Sequence, residues 1–516
     1  MHRIAPFALC ICALVAGADE LTFAHPLLGQ PVVVSWSLEQ LTSAPGEPET
    51  HAPVAASDKG IRLRMSRSEL PHGTLVVTVV ATNASDRRFF LRPVCSVTVH
   101  DGKNRFFNGY EDTRTLTFDP DDVMLSNWFP TNAAYDGDSA LILGLDPMQL
   151  YSRVDAGRNE VEGGRISLSL ALPFVLDPKQ TFEYSFVIAA CASRYGRRDI
   201  IQHWYDVFDT AFRPPSDIDP NVISGESTYL FWKPEAYGLG STGDLIRRMF
   251  GGRGSWEWCY APFVRGGDWA ITDAWSVGFK GHSAEAVEAR RTRIRQRMSG
   301  ARRLDIAPMW YVNVAYTEKT MWEKHFPGIV ASDKPSIRRC WSQDVVYPVY
   351  SWGNAYADLF VESLNRIPRD YPVTRGIGWD SCFAHRRLPV SVDGVLNTAR
   401  KSYRDGEIFA LEAVGIANLL DVNHRNRAGG YRMANAVNYK LVSPYAIGVR
   451  TDAALFEGHP MRTRNRLQRY ESMRARLGTR KALVWHKGAA PNEIRWIDWE
   501  DMSADTARDA YRQVLE

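Results

Sequence analysis

Residues 374–387 read TRGIGWDSCFAHRR. A short apolar run, Gly376, Ile377, Gly378 and Trp379, ends abruptly in Asp380 and is followed by Ser381, Cys382 and His385. An acid placed directly after a buried-strand pattern, beside glycines and a tryptophan, is how a carboxylate is presented at the C-terminal end of a barrel strand. The same pattern also fits an aspartate that ends a strand and caps a turn. The rest of the chain decides between the two.

Outward from this stretch, residues 226–516 alternate short apolar runs with amphipathic helical segments, the signature of β/α units. Strands are expected at 228–232, 256–263, 304–314, 376–380, 408–413, 445–456 and 482–485, and helices at 284–298, 355–367, 395–403 and 464–477. A run of about 290 residues of this kind fits a (β/α)8 (TIM) barrel better than an open sheet. Seven strands are identified and the eighth is not; the final stretch, 504–515, is helix-like.

Upstream, residues 28–195 alternate with period two. Examples are 73–81 (GTLVVTVVA) and 165–171 (RISLSLA), separated by turn clusters such as Asn83 to Asp86 and Asp177-Pro178. Many short strands without a helical period between them predict an antiparallel β-sandwich. Residues 196–225 change character. Ile200, Ile201, Trp204, Tyr205 and Phe208 recur at helical spacing and Pro214-Pro215 stops them, which predicts a linker helix with Trp204 and Tyr205 as packing residues.

The first 18 residues have the form of an export signal: Arg3 near the start, an apolar run from Ile4 to Val15, and Ala16-Gly17-Ala18 as a cleavage site. The expectation is an exported, periplasmic or extracellular protein without a membrane span, since no later run nears the roughly 18 apolar residues a span needs. A net charge of +3 does not call for nucleic acid or an anionic membrane as a partner. Five cysteines lie beyond the signal, widely spaced and odd in number, so they form no disulfide framework and no CxxC metal pair. Cys95–Cys191 is the one pairing open to the first domain. Of the 16 tryptophans, 13 lie from Trp232 onward, a density that suits a large core or platforms for sugar rings.

In a barrel of this type the site forms where strands end. Asp268 and Trp269 follow the second strand; Trp310, Tyr311 and Asn313 lie in the third; Trp379 and Asp380 end the fourth, with His385 beyond. Glu412 ends the fifth. The sixth carries Asp452 and Glu457 and is followed by His459, and the seventh ends in Trp485, His486 and Lys487. Three successive strands thus finish in a carboxylate. Glycosidic hydrolysis needs two carboxyl groups facing one bond, one ionised as nucleophile or base and one protonated as donor. Asp380, near His385 and Arg386, suits the ionised role; Glu412, between Leu411 and Ala413, has the apolar neighbours of a proton donor, and Glu457 is the second candidate. Asp452 sits five residues before Glu457 and needs a bulge to reach the same site. There is no HExxH, GxSxG, P-loop or Rossmann fingerprint, so neither a metal nor a cofactor is expected.

The segments GIGWDS (376–381) and FALEAVG (409–415), with the sandwich, linker helix and Trp-rich barrel entrance, resemble secreted glycoside hydrolases that place a β-sandwich before a (β/α)8 barrel. Retaining α-glycosidases of the α-galactosidase and endo-α-N-acetylgalactosaminidase types are the most similar. The resemblance implies Asp380 as nucleophile, Glu412 or Glu457 as proton donor, and an oligosaccharide or polysaccharide as substrate. The lysine-x-aspartate signature of α-galactosidases is absent, with Gly378 at the lysine's place. Two rival readings use the same residues. One is a non-catalytic carbohydrate-binding protein on a glycosidase-like scaffold. The other is a polysaccharide lyase with a base drawn from Tyr311, His459 and Lys487.

Overall fold

The computed structural model describes residues 19–42, 50–54, 60–99, 105–107, 112–113, 131–161 and 165–216 of the first half. In the second half it describes 226–227, 256–259, seven positions within 285–299, 307–313, 317–318, 338–340, 343–346, 355–380, 387–389, 401–404, 406–411, 414–417, 419–421, 434–438, 445–457, 477–478 and 480–486. The export signal expected at 1–18 lies outside the described residues. Two compact units form: residues up to Asp209 together with Arg400–Leu411, and Thr210–Ala399 together with Glu412 onward.

The first unit holds two antiparallel sheets of seven strands each. One runs in the order Asp19–Phe23, Val32–Thr42, Phe89–Val99, Arg165–Ala171, Asp155–Val161, with Thr50–Pro53 and Phe174–Leu176 attached to its second and third strands. The other runs Ile61–Leu70, Thr74–Asn83, Thr181–Ala192, Ser139–Leu145, Thr131–Tyr135, Arg105–Phe107, Asp112–Thr113. The period-two pattern explains how they meet. On Thr74–Asn83, Val77, Val79 and Ala81 are buried in the core, and the residues between them face the other way. There Thr78 hydrogen-bonds Ser185 at 2.8 Å and Thr82 hydrogen-bonds Thr181 at 3.1 Å, each with its cross-strand partner. Val34, Trp36, Leu91 and Leu168 of the first sheet share one core with Val79, Leu143, Tyr184 and Phe186 of the second. Full burial of such side chains contributes about 1.5–3 kcal/mol apiece.

The expected helix forms as Arg197–Val207 with a short continuation, Asp209–Phe212. It packs on the Thr181–Ala192 strand, and Ile200 and Trp204 are fully buried, so Trp204 is the packing residue the helical spacing predicted. The disulfide does not form. Cys95 and Cys191 are buried on strands of opposite sheets and are not joined to each other, and burial pushes the Cys95 thiol up to about 12.

The largest departure from expectation concerns residues 400–411. The sequence predicts a helix over 395–403 and the fifth barrel strand over 408–413. Instead Ser402–Arg404 and Glu407–Leu411 pair antiparallel as a hairpin, turning through Gly406 at φ +81°, and belong to the first unit. Asp405-Gly406 is the dipeptide that a two-residue hairpin turn favours. Polar and apolar contacts both fix the hairpin to the sandwich. Val175 N–H donates to the Lys401 carbonyl at 3.0 Å, Ser402 Oγ donates to the Pro173 carbonyl at 2.6 Å, and Arg153 donates to the Tyr403 carbonyl at 2.7 Å. Tyr403 packs 4.5 Å from Phe90 between ring centroids and lies in a small core with Leu41 and Val175.

Lys401 also forms an ion pair with Asp177, whose other carboxylate oxygen accepts from Arg88 at 2.6 Å. Burial opposes ionisation of Asp177, but hydrogen bonds and charge from Lys401 and Arg88 outweigh it and hold the carboxyl below the usual range. A depressed carboxylate contributes stability above its unfolded pKa of about 3.9 and loses it as pH falls through the lower folded value. Asp177→Asn is therefore expected to lower the unfolding free energy by about 3 kcal/mol at pH 7. In acid, below pH 4, the gap to wild type should close. Urea titrations at pH 7 and pH 3 measure both, and an equal gap at the two pH values would contradict the linkage.

The second unit is organised by a seven-stranded sheet in which every pairing is parallel. Its order is Glu226–Ser227, Ala482–His486, Ala453–Glu457, Ala434–Asn438, Gly376–Asp380, Ala307–Asn313, Trp256–Cys259. The earliest strand of the sheet thus pairs its last, and the others follow in reverse sequence order. Ala434–Asn438, which the sequence reading did not identify, occupies the place given to 408–413. The run 445–456 also divides, into a helical turn, Tyr445–Gly448, and the strand Ala453–Glu457. Among the described residues, no helix is long and apolar enough to cross a membrane.

Candidate active site

Parallel register and strand alternation assign each residue of the sheet to a face. One face is anchored by two indoles. Trp310 and Trp379 are fully buried, Trp310 with its ring 4.4 Å from Tyr371 and Trp379 with its ring 6.2 Å from Phe360 of the Ala355–Asp370 helix. Ile377, Val312 and Val437 belong to this largely apolar face by register, together with Asn435. The other face carries a row of small residues across four strands, Gly378, Ala436, Ala453 and Ala482, each the register partner of the next.

Beyond that row, and past Leu455 and Val484, the last residue of each strand on this second face is polar. Asn313 and Asp380 are register partners and the last residues of their strands. Asn438 ends the adjacent strand, one position past the Trp379–Val437 pair. Glu457 and His486 are again register partners and last residues. Five neighbouring strands therefore finish in Asn, Asp, Asn, Glu and His on one face. This is the end of a parallel sheet where ligands and catalytic groups gather.

Of the residues expected at the site, Asp380, Asn313, Glu457 and His486 hold these terminal positions, and Tyr311 lies on the same face as the register partner of Gly378. Trp310 and Trp379 do not belong with them and are corrected to packing residues: a regular strand puts Trp379 on the face opposite its neighbour Asp380. Trp485 shares the Trp379 face by register, through Ala454 and Phe456. Glu412, Trp269, Asp268, His385, His459 and Lys487 lie outside the described residues, and the strand that was to present Glu412 is part of the hairpin of the first unit. Trp310→Ala is expected to destabilise the protein by about 3–5 kcal/mol, the cost of emptying a core site of this size. Urea titration measures the loss, and an unchanged unfolding midpoint would contradict the packing role.

Asp452 is also corrected. It precedes the Ala453–Glu457 strand and so sits at the amino end of the sheet, away from the carboxyl ends. Only 1% exposed, it accepts the Ser216 backbone N–H at 2.6 Å. Next to it in register stands Lys481, also buried, whose ammonium donates to the carbonyls of Ala211, Gly448 and Val449 at 3.1, 3.0 and 2.8 Å. Arg450, 3% exposed, donates to both carboxylate oxygens of Asp421 at 2.9 Å. Burial pulls the Lys481 pKa down to about 7; Asp452 resists the shift and Arg450 adds to it. Gly478 completes the cluster with φ +80° and a position where an added Cβ would stand 2.8 Å from Phe212 Cβ. These groups fasten residues 211–216 to the amino end of the sheet. Among the described residues, no three His, Cys, Asp or Glu side chains gather closely enough to hold a metal ion.

Comparison with known proteins places this architecture. No protein-family model and no curated protein matches the chain. Solved structures do match in fold. The GH36 alpha-galactosidase AgaB from Geobacillus stearothermophilus aligns over 97% of this chain and 74% of its own, at 12% identity and a TM-score of 0.54. A variant of AgaA from the same organism, in complex with 1-deoxygalactonojirimycin, aligns over 95% and 71% at 11% identity and a TM-score of 0.51. The alpha-galactosidase from Lactobacillus brevis aligns over 98% and 71% at 12% identity and a TM-score of 0.50. The α-galactosidase resemblance read from the two short motifs is thus met by a likeness of fold across nearly the whole chain.

Proposed function

We propose that this chain is an exported glycoside hydrolase that cleaves an oligosaccharide or polysaccharide by a retaining, two-carboxylate mechanism. One observation carries the reading: Asp380 and Glu457 end strands of a single parallel sheet on the same face, with Asn438 between them. Asp380 is the nucleophile that attacks the anomeric carbon. Glu457 protonates the departing glycosidic oxygen, then takes a proton from the water that releases the sugar. Glu457 replaces Glu412 as the leading donor because its strand belongs to the same sheet as that of Asp380. The (β/α)8 barrel is part of this proposal: the sheet's earliest strand pairs its last, and a pairing of Glu226–Ser227 with Trp256–Cys259 would close the ring.

The likeness to alpha-galactosidases supports α-linked galactose-configured sugars as the substrates to try first. Gly378, which sits in the small-residue row where those enzymes have a lysine, argues for a broader panel. Purified protein should be assayed against aryl α- and β-glycosides of galactose, N-acetylgalactosamine and glucose, with the anomer of the first product followed by NMR. Release of one aryl group with retained configuration is the expected result. An inverted product would remove the nucleophile role of Asp380. Binding of a glycan without turnover of any would favour the carbohydrate-binding reading instead.

A further inference from the structure

We infer that Asn438 is a substrate-positioning residue of this site, a role that rests on the glycosidase reading above and deepens it. The Ala434–Asn438 strand lies between the strands that end in Asp380 and Glu457. Its register places Val437 beside Trp379 and Asn438 beside Leu455, two positions before Glu457. Asn438 therefore shares the face of the two carboxylate positions and stands at the carboxyl end, between them in the sheet. Ala436 of the small-residue row is followed two residues later by this amide, so on this face the strand turns polar only at its end.

The residue type fits the place. A carboxamide offers one acceptor and two donor hydrogens and carries no charge. A lysine or arginine between the two acids would hold both ionised, whereas the mechanism needs one of them protonated. A third carboxylate would raise the pKa values of the others. An amide can hold a sugar hydroxyl without disturbing either acid, which makes it the suitable group for fixing the ring between nucleophile and donor.

The test uses the full-length protein and a series of aryl glycosides of the sugar that wild type cleaves, each lacking one ring hydroxyl. Asn438→Ala should lower kcat/KM on the parent glycoside by about 10- to 100-fold. Against one member of the deoxy series it should lower kcat/KM no further, because the hydroxyl it would hold is already gone. Asn365→Ala, on the exposed side of the Ala355–Asp370 helix, serves as the control and should leave every member unchanged. If Asn438→Ala fails to fold, Asn438→Ser is read in the same way. Equal losses across the whole deoxy series, or no loss on the parent, overturn the role of Asn438 and leave the glycosidase reading intact. A wild type that cleaves no glycoside overturns both.

Discussion

Asp380→Asn is expected to lose about 10^4-fold or more in kcat on an aryl glycoside, which corresponds to roughly 5.5 kcal/mol of transition-state stabilisation. The amide occupies the same volume at the end of the Gly376–Asp380 strand but cannot form the glycosyl ester. Asp380→Gly should recover part of the rate when azide is added, because a small anion can enter the vacated space and attack in place of the carboxylate. The recovered product would be a glycosyl azide of inverted configuration. Glu457→Gln should behave differently. Loss of a general acid typically costs about 10^2–10^4-fold, and least for substrates whose leaving group departs without protonation. A dinitrophenyl glycoside should therefore be cleaved by Glu457→Gln far better than an alkyl glycoside. Full activity of Asp380→Asn, or equal losses of Glu457→Gln on both leaving groups, would refute the assignment of roles.

The second large effect concerns stability and lies at the opposite end of the sheet. Asp452→Ala leaves Lys481 and the Ser216 N–H buried without their acidic neighbour, and removal of one member of such a buried set costs about 3–5 kcal/mol. Lys481 supplies the pH dependence. Its pKa is held near 7 in the folded chain by burial, against Asp452 and with Arg450, whereas an unfolded lysine titrates near 10.4. Between these values the unfolded chain binds more protons, so unfolding free energy rises with pH from about 7 to 10.4, by up to about 1.4 kcal/mol per unit. Lys481→Met keeps much of the volume and should lack that rise. Denaturant midpoints from pH 6.5 to 9.5 for the two proteins measure it. Parallel profiles would mean that the ammonium is not the titrating group.

The two halves of the chain were not equally legible. Sandwich strands such as Thr74–Asn83 have one face drier than the other, so their alternation is written plainly in the residues. In the parallel sheet the strands are covered more evenly and period two fades. Gly376–Asp380 remained visible because glycines and an acid punctuate it. Ala434–Asn438 (ANAVN) did not, since alanine and asparagine have weak β-propensity and the strand is held by its neighbours. The 408–413 run then took its place by apolar content alone, although Asp405-Gly406 already marked a hairpin. A single strand of 12 residues over 445–456 was longer than strands usually run. Its division explains why Asp452 stands just before a strand and not at the end of one. Alternation alone would have separated Trp379 from Asp380, since adjacent residues on a regular strand cannot share a face.

The hairpin carries a consequence for biosynthesis. Asp177 and Lys401 lie 224 positions apart, yet the acid is buried and relies on that cation. A ribosome adding about 5–20 residues per second delivers Lys401 roughly 11 to 45 seconds after Asp177 has emerged. During that interval the Val175 N–H and the Pro173 carbonyl also wait for the partners they find in Lys401 and Ser402. The amino-terminal unit therefore cannot finish folding first and hand over a completed body to the chain behind it. Its last contacts are made only after most of the other unit has been synthesised, and a fragment ended at Asp209 would expose the seam where Lys401 and Tyr403 belong.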